Sequence, residues 1–442
     1  MAELKTHSWH SAEPALNSHH TDPISIWPQR PGAVNPILYA IPVFLLTLLA
    51  EAWMAHRRAL GAYDIPDALT SLQFGALSQV SAVFTRVFTL GIYVLVYEHL
   101  RLFELPIDAL WVWLFALVFY DFVYYWVHRL GHEVNLLWAA HQVHHSSEYF
   151  NLSTALRQSA TGAFTTWPFY LVMAIIGVPP VVFVTVALID LLYQYWVHTE
   201  LVGKLGWVDR VFVTPSNHRV HHGQNHWCID CNYGGIFILW DRLFGTFVEE
   251  RDDEPVVYGI RRPLASFNPL WGNLNVYAEL LHAARHARDW RAALRVWFAS
   301  PSGGRGSIAP LDPAALRRFD CATRPEVRAY AIVQYALLLL PVSHFIATAP
   351  AMPTGVQIAY TSLLLISALV LGWLLEERTL AFRFEQLRWL GVSVLALLLP
   401  TVTSWALPAA AQACIVGIAL VHMLVAGRLA PAPAATPRPI AS

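Results

Sequence analysis

Nine separate apolar runs constrain the fold of this chain more than any other feature. A helix needs about 20 mostly apolar residues to cross the hydrocarbon core of a bilayer. Charged residues make up 13% of the chain, whereas soluble domains carry about 25%. We therefore predict an all-α integral membrane protein, a multi-pass helical bundle of about nine spans. The runs are Ile37–Ala55, Ala76–Val96, Ile107–Val127, Gly162–Ile176, Val178–Val197, Ala329–Ala349, Gly355–Leu375, Leu387–Val402 and Ala409–Val425.

Basic residues are distributed unevenly between these runs. If all nine runs cross the membrane, nearly every arginine and lysine between them lies on one side, and the opposite loops hold little beyond Arg101. The positive-inside rule makes that side cytoplasmic. The residues concerned are Arg57, Arg58, Arg129, Lys204, Arg210, Arg261, Arg262, Arg285, Arg288, Arg291, Arg295, Arg378, Arg383, Arg388 and Arg428.

The sequence divides into four segments. Residues 1–36 and 429–442 are predicted to be disordered polar tails, and no cleavable signal peptide is apparent. Residues 37–328 form a predicted membrane catalytic domain with a long polar region, and residues 329–428 form a bundle of four spans. Within the polar region, Val276–Phe298 has the pattern of an amphipathic helix, on the membrane surface or on a soluble subdomain. The net charge of −1 gives no indication of nucleic acid as a partner.

Nine histidines near the predicted cytoplasmic face need a separate explanation. Residues four apart on a helix share a face, and the spacing His-x-x-His-His brings three imidazoles to one helical turn. A single buried histidine is usually a hydrogen-bonded core residue. Nine imidazoles without a cation would leave donors unmatched and would repel once protonated. The predicted metal ligands are His128, His132, His141, His144, His145, His198, His218, His221 and His222.

The number of ligands predicts two metals, because one metal takes only three or four such ligands. Imidazole binds iron, zinc, copper and nickel, so the ligand type leaves the element open. The setting favours iron. The site lies at the membrane face among apolar helices, and it lacks the carboxylate base of a His-Glu-x-x-His hydrolase. A redox metal that activates dioxygen suits such a place better than hydrolytic zinc.

Polar residues near the histidines are candidates for supporting roles. Asp121 and Asp190 are carboxylates inside predicted spans, where they are costly and usually paired, so they are predicted to orient imidazoles. Gln194 shares a helical column with Asp190 and His198. Glu133 is a candidate ligand, proton carrier or surface charge. Three further residues are predicted to line a cavity for a lipid head group, namely Asn151, Arg157 and Gln158.

Several motifs resemble those of the fatty acid hydroxylase and sterol desaturase superfamily of membrane di-iron oxygenases. They are His128–Glu133, Trp138–Glu148, Asn151–Ser159, Gln194–Glu200, the His218–His222 motif with the following glycine, Cys228–Gly235 and Trp240–Phe247. The likeness extends over about residues 38–301. The histidine motifs indicate the superfamily, and the segments between them resemble its ether-lipid branch.

This resemblance implies two irons, dioxygen and a tetrahydrobiopterin reductant. The implied reaction hydroxylates the ether-linked carbon of an alkylglycerol, and the resulting hemiacetal collapses to an aldehyde and glycerol. Hydroxylases of the superfamily place a further histidine one turn before His198, where this chain has Gln194. That difference disfavours fatty-acid 2-hydroxylation. The expected partners are a membrane lipid and an electron donor, either reduced pterin or a reductase.

Two alternatives remain at this point. One is a hydroxylase or desaturase of another membrane lipid, such as a sterol, carotenoid, aminolipid or fatty acyl chain. The other is a membrane metal transporter, which would need ligands in the middle of several spans rather than at their ends. The predicted location is the cytoplasmic membrane of a bacterium or the endoplasmic reticulum of a eukaryote, with the site facing the cytoplasm.

Overall fold

A computed structural model describes residues 36–303, 317–402 and 408–431, which form fifteen α-helices. No sheet forms among these residues, so the all-α prediction is confirmed for them. The predicted tails lie almost entirely outside the described residues. The helices are α1 Pro36–Arg57, α2 Ile65–Leu100, α3 Leu110–Glu133, α4 Asn135–His145, α5 Leu152–Ala155, α6 Ala163–Ile176, α7 Pro180–Trp196, α8 Pro215–His221, α9 Leu239–Leu243, α10 Pro269–Arg285, α11 Trp290–Phe298, α12 Pro325–Thr348, α13 Thr354–Leu375, α14 Thr379–Val402 and α15 Ala409–Leu429.

Among the described residues, six helices are long and apolar enough to cross a bilayer, namely α1, α2, α3, α12, α13 and α15. Each of the nine predicted runs falls on one helix, but three of these helices are weaker candidates. The α6 and α7 helices have only 14 and 17 residues, and α14 carries Arg383, Glu385 and Arg388 in its first half. The protein is therefore an integral membrane protein, and nine full spans remain a prediction.

The α6 and α7 helices form a tight hairpin that packs against α2 and α3. Gly177 closes α6 with a φ of 107°, and a Cβ at this position would lie 1.9 Å from the carbonyl oxygen of Phe103. Only glycine therefore fits the turn. The hairpin core includes Met173, Val182 and Val186. This packing fixes the position of the polar end of α7, which His198 follows.

The polar region forms a layer at one end of the spans. The α4 helix starts two residues after α3 ends, and α8 follows the polar end of α7. The amphipathic segment Val276–Phe298 is not one helix. It breaks between α10 and α11, where the Asp289 carboxylate caps α11 by accepting from the Ala292 backbone N–H at 2.8 Å. Apolar side chains of α11, Trp290 and Phe298 among them, are exposed.

The 36-residue helix α2 belongs to the predicted catalytic domain and packs against the C-terminal bundle. Near its start, Leu69 and Leu72 pack with Ala331 and Tyr335 of α12. Further along, Val80 belongs to a core cluster formed mainly by α12, α13 and α14. The α12 helix therefore runs alongside α2 within the bundle that carries the histidines.

Candidate metal centre

The nine histidines form two groups in the polar layer. Within each group, the ligand nitrogens all lie within 4.8 Å of one another. The groups adjoin, because the rings of His145 and His222 stack with their centroids 4.3 Å apart. We call the first set the five-histidine group and the second the four-histidine group. The five-histidine group contains His128, His132, His141, His145 and His221, and the four-histidine group contains His144, His198, His218 and His222.

Each His-x-x-His-His motif is divided between the groups. The spacing argument predicted that the three imidazoles of each motif converge. Instead, His141 and His145 join the five-histidine group, and His144 between them joins the other. The second motif is divided in the opposite way. His218 and His222 belong to the four-histidine group, and His221 belongs to the five-histidine group. Residues i and i+4 lie on one line along a helix, while i+3 is rotated away from it, so each motif serves two sites.

The geometry within the groups fits metal coordination. The Nε2 atoms of His128 and His141 are 3.0 Å apart, and those of His144 and His198 are 3.1 Å apart. Ligand nitrogens at about 2.1 Å from one ion, at right angles to each other, would be about 3 Å apart. The observed spacing therefore allows these nitrogens to be neighbouring ligands on one ion.

The proton positions in the four-histidine group favour a bound cation. The Nδ1 of His144 faces the carbonyl oxygen of Arg157 at 3.2 Å, and the Nδ1 of His198 faces that of Gln194 at 2.8 Å. A carbonyl only accepts, so both Nδ1 atoms carry the proton and both Nε2 atoms present lone pairs. Two lone pairs that face each other in a buried site repel unless a cation lies between them.

Unpartnered atoms and burial point the same way. The Nε2 atoms of His132 and His221 and the Nδ1 of His218 are buried without a hydrogen-bond partner. Burial lowers the pKa of His144 to about 4, so this ring is neutral near pH 7 and its lone pair is free to bind a metal. The two groups can therefore hold metal ions.

Backbone carbonyls of one loop orient two ligands of the five-histidine group. The His128 Nδ1 donates to the carbonyl of Tyr233 at 2.7 Å, and the His221 Nδ1 donates to that of Cys231 at 2.9 Å. Hydrogen bonds of this kind fix the ring orientation of metal-binding histidines. Sequence reasoning missed both acceptors, because backbone carbonyls have no signature in a sequence.

Two carboxylates hold that loop in place. Asp241 accepts from the backbone N–H groups of Tyr233 and Gly234, each at 2.8 Å. Asp121 accepts from the backbone N–H of Ile236 at 2.6 Å and from the Trp240 indole at 2.8 Å. Asp121 therefore acts on the ligands through the loop. Asp241 was missed, although it lies in the Trp240–Phe247 motif.

Gly235 lies where the loop passes the two membrane carboxylates. A Cβ at this position would lie 2.7 Å from an oxygen of Asp121 and 2.7 Å from an oxygen of Asp190. Gln194 extends this polar chain, because its Nε2 donates to Asp190 at 2.5 Å and its Oε1 accepts from the Tyr124 hydroxyl at 2.6 Å. The chain Asp190–Gln194–Tyr124 therefore leads from the loop to the interior of the bundle.

A buried arginine and a buried glutamate hold the four-histidine group. Arg219 of α8 pairs with Glu250 and donates to the carbonyls of Thr199 and Val202, which follow His198. Glu51 of α1 accepts from the Thr199 hydroxyl and from the Leu152 backbone N–H. Sequence reasoning missed both residues. The signal for Glu51 was a carboxylate within the first predicted span, which is rarely without a partner.

The structure places the predicted head-group residues in different settings. Asn151 is buried, caps α5 and donates to the carbonyl of Ala62. The Arg157 side chain is also buried and pairs with Asp67 at 3.3 Å. Gln158 lines a cavity beside the histidines. Glu133 lies outside both histidine groups and pairs with Arg129 at 3.0 Å on the partly exposed end of α3.

An apolar cavity of about 480 Å³ connects the two histidine groups with the interior of the bundle. His128 and His141 of one group and His144 and His198 of the other lie in its wall. Most of the remaining lining is aliphatic or aromatic and comes from α1, α2, α3, α4, α6, α7 and α12. Buried polar groups next to an apolar cavity are the usual form of a lipid or small-molecule site.

The fold and the site together define a multi-pass membrane protein with two histidine groups that can hold metal ions beside an apolar cavity. Residues 113–246 match the family described as fatty acid hydroxylase. The chain is 37% identical over 359 residues to alkylglycerol monooxygenase of Homo sapiens, covering 79% of this chain and 80% of that protein. It is 39% identical over 362 residues to alkylglycerol monooxygenase of Danio rerio, with 79% of each chain covered. The chain belongs to the alkylglycerol monooxygenase family. No solved structure matches it.

Proposed function

We propose that this protein is a membrane monooxygenase that hydroxylates the ether-linked carbon of alkylglycerol lipids and so releases a fatty aldehyde and a glycerol product. One observation carries the proposal. Ligands of both histidine groups line an apolar cavity within the membrane bundle, so a hydrocarbon chain in that cavity would reach both metals. The relatives named above supply the substrate class, since each is an alkylglycerol monooxygenase.

Two irons held by the nine histidines would supply the activation of dioxygen. One oxygen atom enters a C–H bond of the lipid, and the other leaves as water with two electrons and two protons from a donor. The carbon that receives the hydroxyl also bears the ether oxygen. The product is a hemiacetal, which breaks into the aldehyde and the glycerol hydroxyl. We propose reduced tetrahydrobiopterin as the donor, and a reductase as the alternative.

Backbone and side-chain groups of this protein prepare that reaction in three ways. Carbonyl acceptors such as those of Tyr233 and Gln194 fix the imidazoles before a metal arrives. The apolar walls exclude water from the reacting carbon and hold the alkyl chain. Glu133 lies at the polar end of α3 beside His132, where we propose that it carries protons between the site and the aqueous side.

The histidine groups face the cytoplasm in this proposal. Every helix from α1 to α7 that reaches the polar layer does so at the end where the basic residues cluster. The short α6–α7 hairpin both leaves and returns to this layer, so the orientation holds whether or not the hairpin crosses completely. Both groups of ligands lie at one end of the spans, which argues against metal transport.

An assay on the purified full-length chain in lipid nanodiscs tests the proposal. The chain is supplied with an alkylglycerol, dioxygen and reduced tetrahydrobiopterin, and the released aldehyde is trapped and quantified. We expect aldehyde formation and two irons per chain by elemental analysis. The His145→Ala variant should lose aldehyde formation and the iron of the five-histidine group. The matched control is His282→Ala, which removes an exposed histidine of α10 outside both groups.

Three outcomes would contradict parts of the proposal separately. One exchangeable zinc per chain, retained in His145→Ala, would contradict the di-iron oxygenase. Two irons with no aldehyde from alkylglycerols would contradict the ether-lipid substrate and favour another membrane lipid. If aldehyde formation needs a protein reductase and not pterin, only the proposed electron donor is wrong.

A further inference from the structure

The cavity wall includes a C-terminal helix that lies outside the residues matched to the fatty acid hydroxylase family. The α12 helix lies well beyond residues 113–246, yet one of its faces lines the cavity. The lining positions follow the i, i+4, i+7, i+8, i+11 pattern of a single helix face. We call this face the α12 wall, and it consists of Tyr335, Leu339, Val342, Ser343 and Ile346.

The α12 wall runs from the histidine layer into the membrane. Its first residue, Tyr335, packs with Leu69 and Leu72, next to the Asp67 carboxylate that pairs with Arg157 in the histidine layer. At the other end, Val342 and Ile346 share a core cluster with Val80. Eleven residues at 1.5 Å each place Ile346 about 16 Å farther along the helix than Tyr335. The wall therefore has a histidine end and a deep end.

Hydrogen bonds on other positions of α12 fix its rotation. Tyr330 donates to the Glu385 carboxylate at 2.8 Å, and the Gln334 amide contacts His422 at 2.8 Å. Arg388 of α14 pairs with Glu385 at 2.6 Å and also donates to Gln334. We call these five residues the C-terminal polar network. Because the network holds α12 from the side of α14 and α15, the cavity-facing positions form a fixed surface.

We propose that the deep end of the α12 wall, formed by Val342, Ser343 and Ile346, limits the length of the hydrocarbon chain that the cavity accepts. A chain whose reacting carbon lies at the histidines extends toward these residues, and their bulk decides where it must stop. The assignment of alkylglycerols as the chains that are turned over rests on the proposed function. Binding of the chain does not depend on turnover.

Substitutions on the two faces of α12 test this inference. Ile346→Ala removes bulk at the deep end, while Val342→Phe adds it. The control is Leu340→Ala on the same helix, since Leu340 is 69% exposed on the outside of the bundle. We would measure kcat/KM for a homologous series of saturated alkylglycerols in nanodiscs. The ratio for long over short chains should rise about tenfold in Ile346→Ala, fall about tenfold in Val342→Phe and stay unchanged in the control.

A second measurement separates this inference from the proposed function. Lipids retained by each purified variant are extracted, and their chain lengths are compared by mass spectrometry. If the wild type cleaves no alkylglycerol, the proposed function fails, and the retained chain lengths still test the wall. If Val342→Phe does not fold, Ser343→Leu replaces it as the filled variant. Folded variants with wild-type chain preferences in both measurements would overturn the inference.

Discussion

The candidate metal centre and the C-terminal polar network are both buried polar networks, and they differ in how well their atoms are paired. The metal centre contains buried nitrogens without a partner, on His132, His218 and His221. No atom of the C-terminal polar network is among the unpartnered buried atoms of the described residues. Its charges and amides bond to one another, as in the Glu385–Arg388 pair at 2.6 Å.

This difference distinguishes a site that can bind a ligand from a network that only holds helices together. A polar group buried in a membrane protein is costly unless it is paired, so a network that satisfies itself needs nothing more. A network whose lone pairs face each other, as those of His144 and His198 do, can gain a bound cation that pairs them. The comparison predicts that substitutions in the first network change metal content, and that those in the second change stability.

The largest effect should come from two adjacent histidines. His144→Ala and His145→Ala remove ligands from different groups, although the residues are neighbours in sequence. We expect each variant to lose more than about a hundredfold in activity, since even residues that only support a ligand cost 10–100-fold. Mössbauer spectra of iron-loaded protein should show the loss of a different iron signal in each variant. The same signal lost from both would contradict the division into two groups.

The next effect should be on stability alone. Arg388→Met leaves the Glu385 carboxylate buried without its partner, which costs about 3–5 kcal/mol of unfolding free energy. The double variant Glu385→Gln with Arg388→Met removes both charges and should recover most of that loss. Thermal unfolding in detergent measures both. Iron per folded chain should stay at the wild-type value. Loss of iron from folded Arg388→Met would show that the two networks are coupled.

A smaller effect is expected where a carboxylate supports a ligand through the loop. Asp241→Asn keeps one acceptor for Tyr233 but loses the acceptor for the Gly234 backbone N–H. Metal affinity of the five-histidine group should fall by 10–100-fold, while the four-histidine group keeps its affinity. Titration with a competing chelator measures both affinities. Asp252→Asn is the control, because Asp252 is an exposed partner of Lys204. Equal weakening of both groups would contradict a local role for Asp241.

The sequence predicted the class of this fold and the set of histidines for specific physical reasons. Apolar runs and imidazole spacing are local patterns, and each survives in the structure as a helix or a helical turn. The division of His144 from His145 required knowing which elements surround each helix face. The residues that support the ligands were harder to predict. The Tyr233 and Cys231 carbonyls have no side-chain signature, and two partners of Glu51, Leu152 and Thr199, lie 101 and 148 residues away in sequence.

The smallest effect is expected in a third network, which lines the cavity but supplies no histidine ligand. The Tyr124 hydroxyl donates to Gln194 at 2.6 Å, and Gln194 in turn bonds to Asp190, but none of the three belongs to either histidine group. Tyr124→Phe keeps the ring in the cavity wall and removes one hydrogen bond, which costs about 1 kcal/mol. We expect a shift of that size in unfolding, two irons per chain and a change in activity of less than tenfold. A loss of iron would instead show that this hydrogen-bond network positions His198, whose Nδ1 proton is accepted by the Gln194 backbone carbonyl. Tyr193→Phe is the control, since the Tyr193 hydroxyl donates to the Val213 carbonyl and does not contact Gln194.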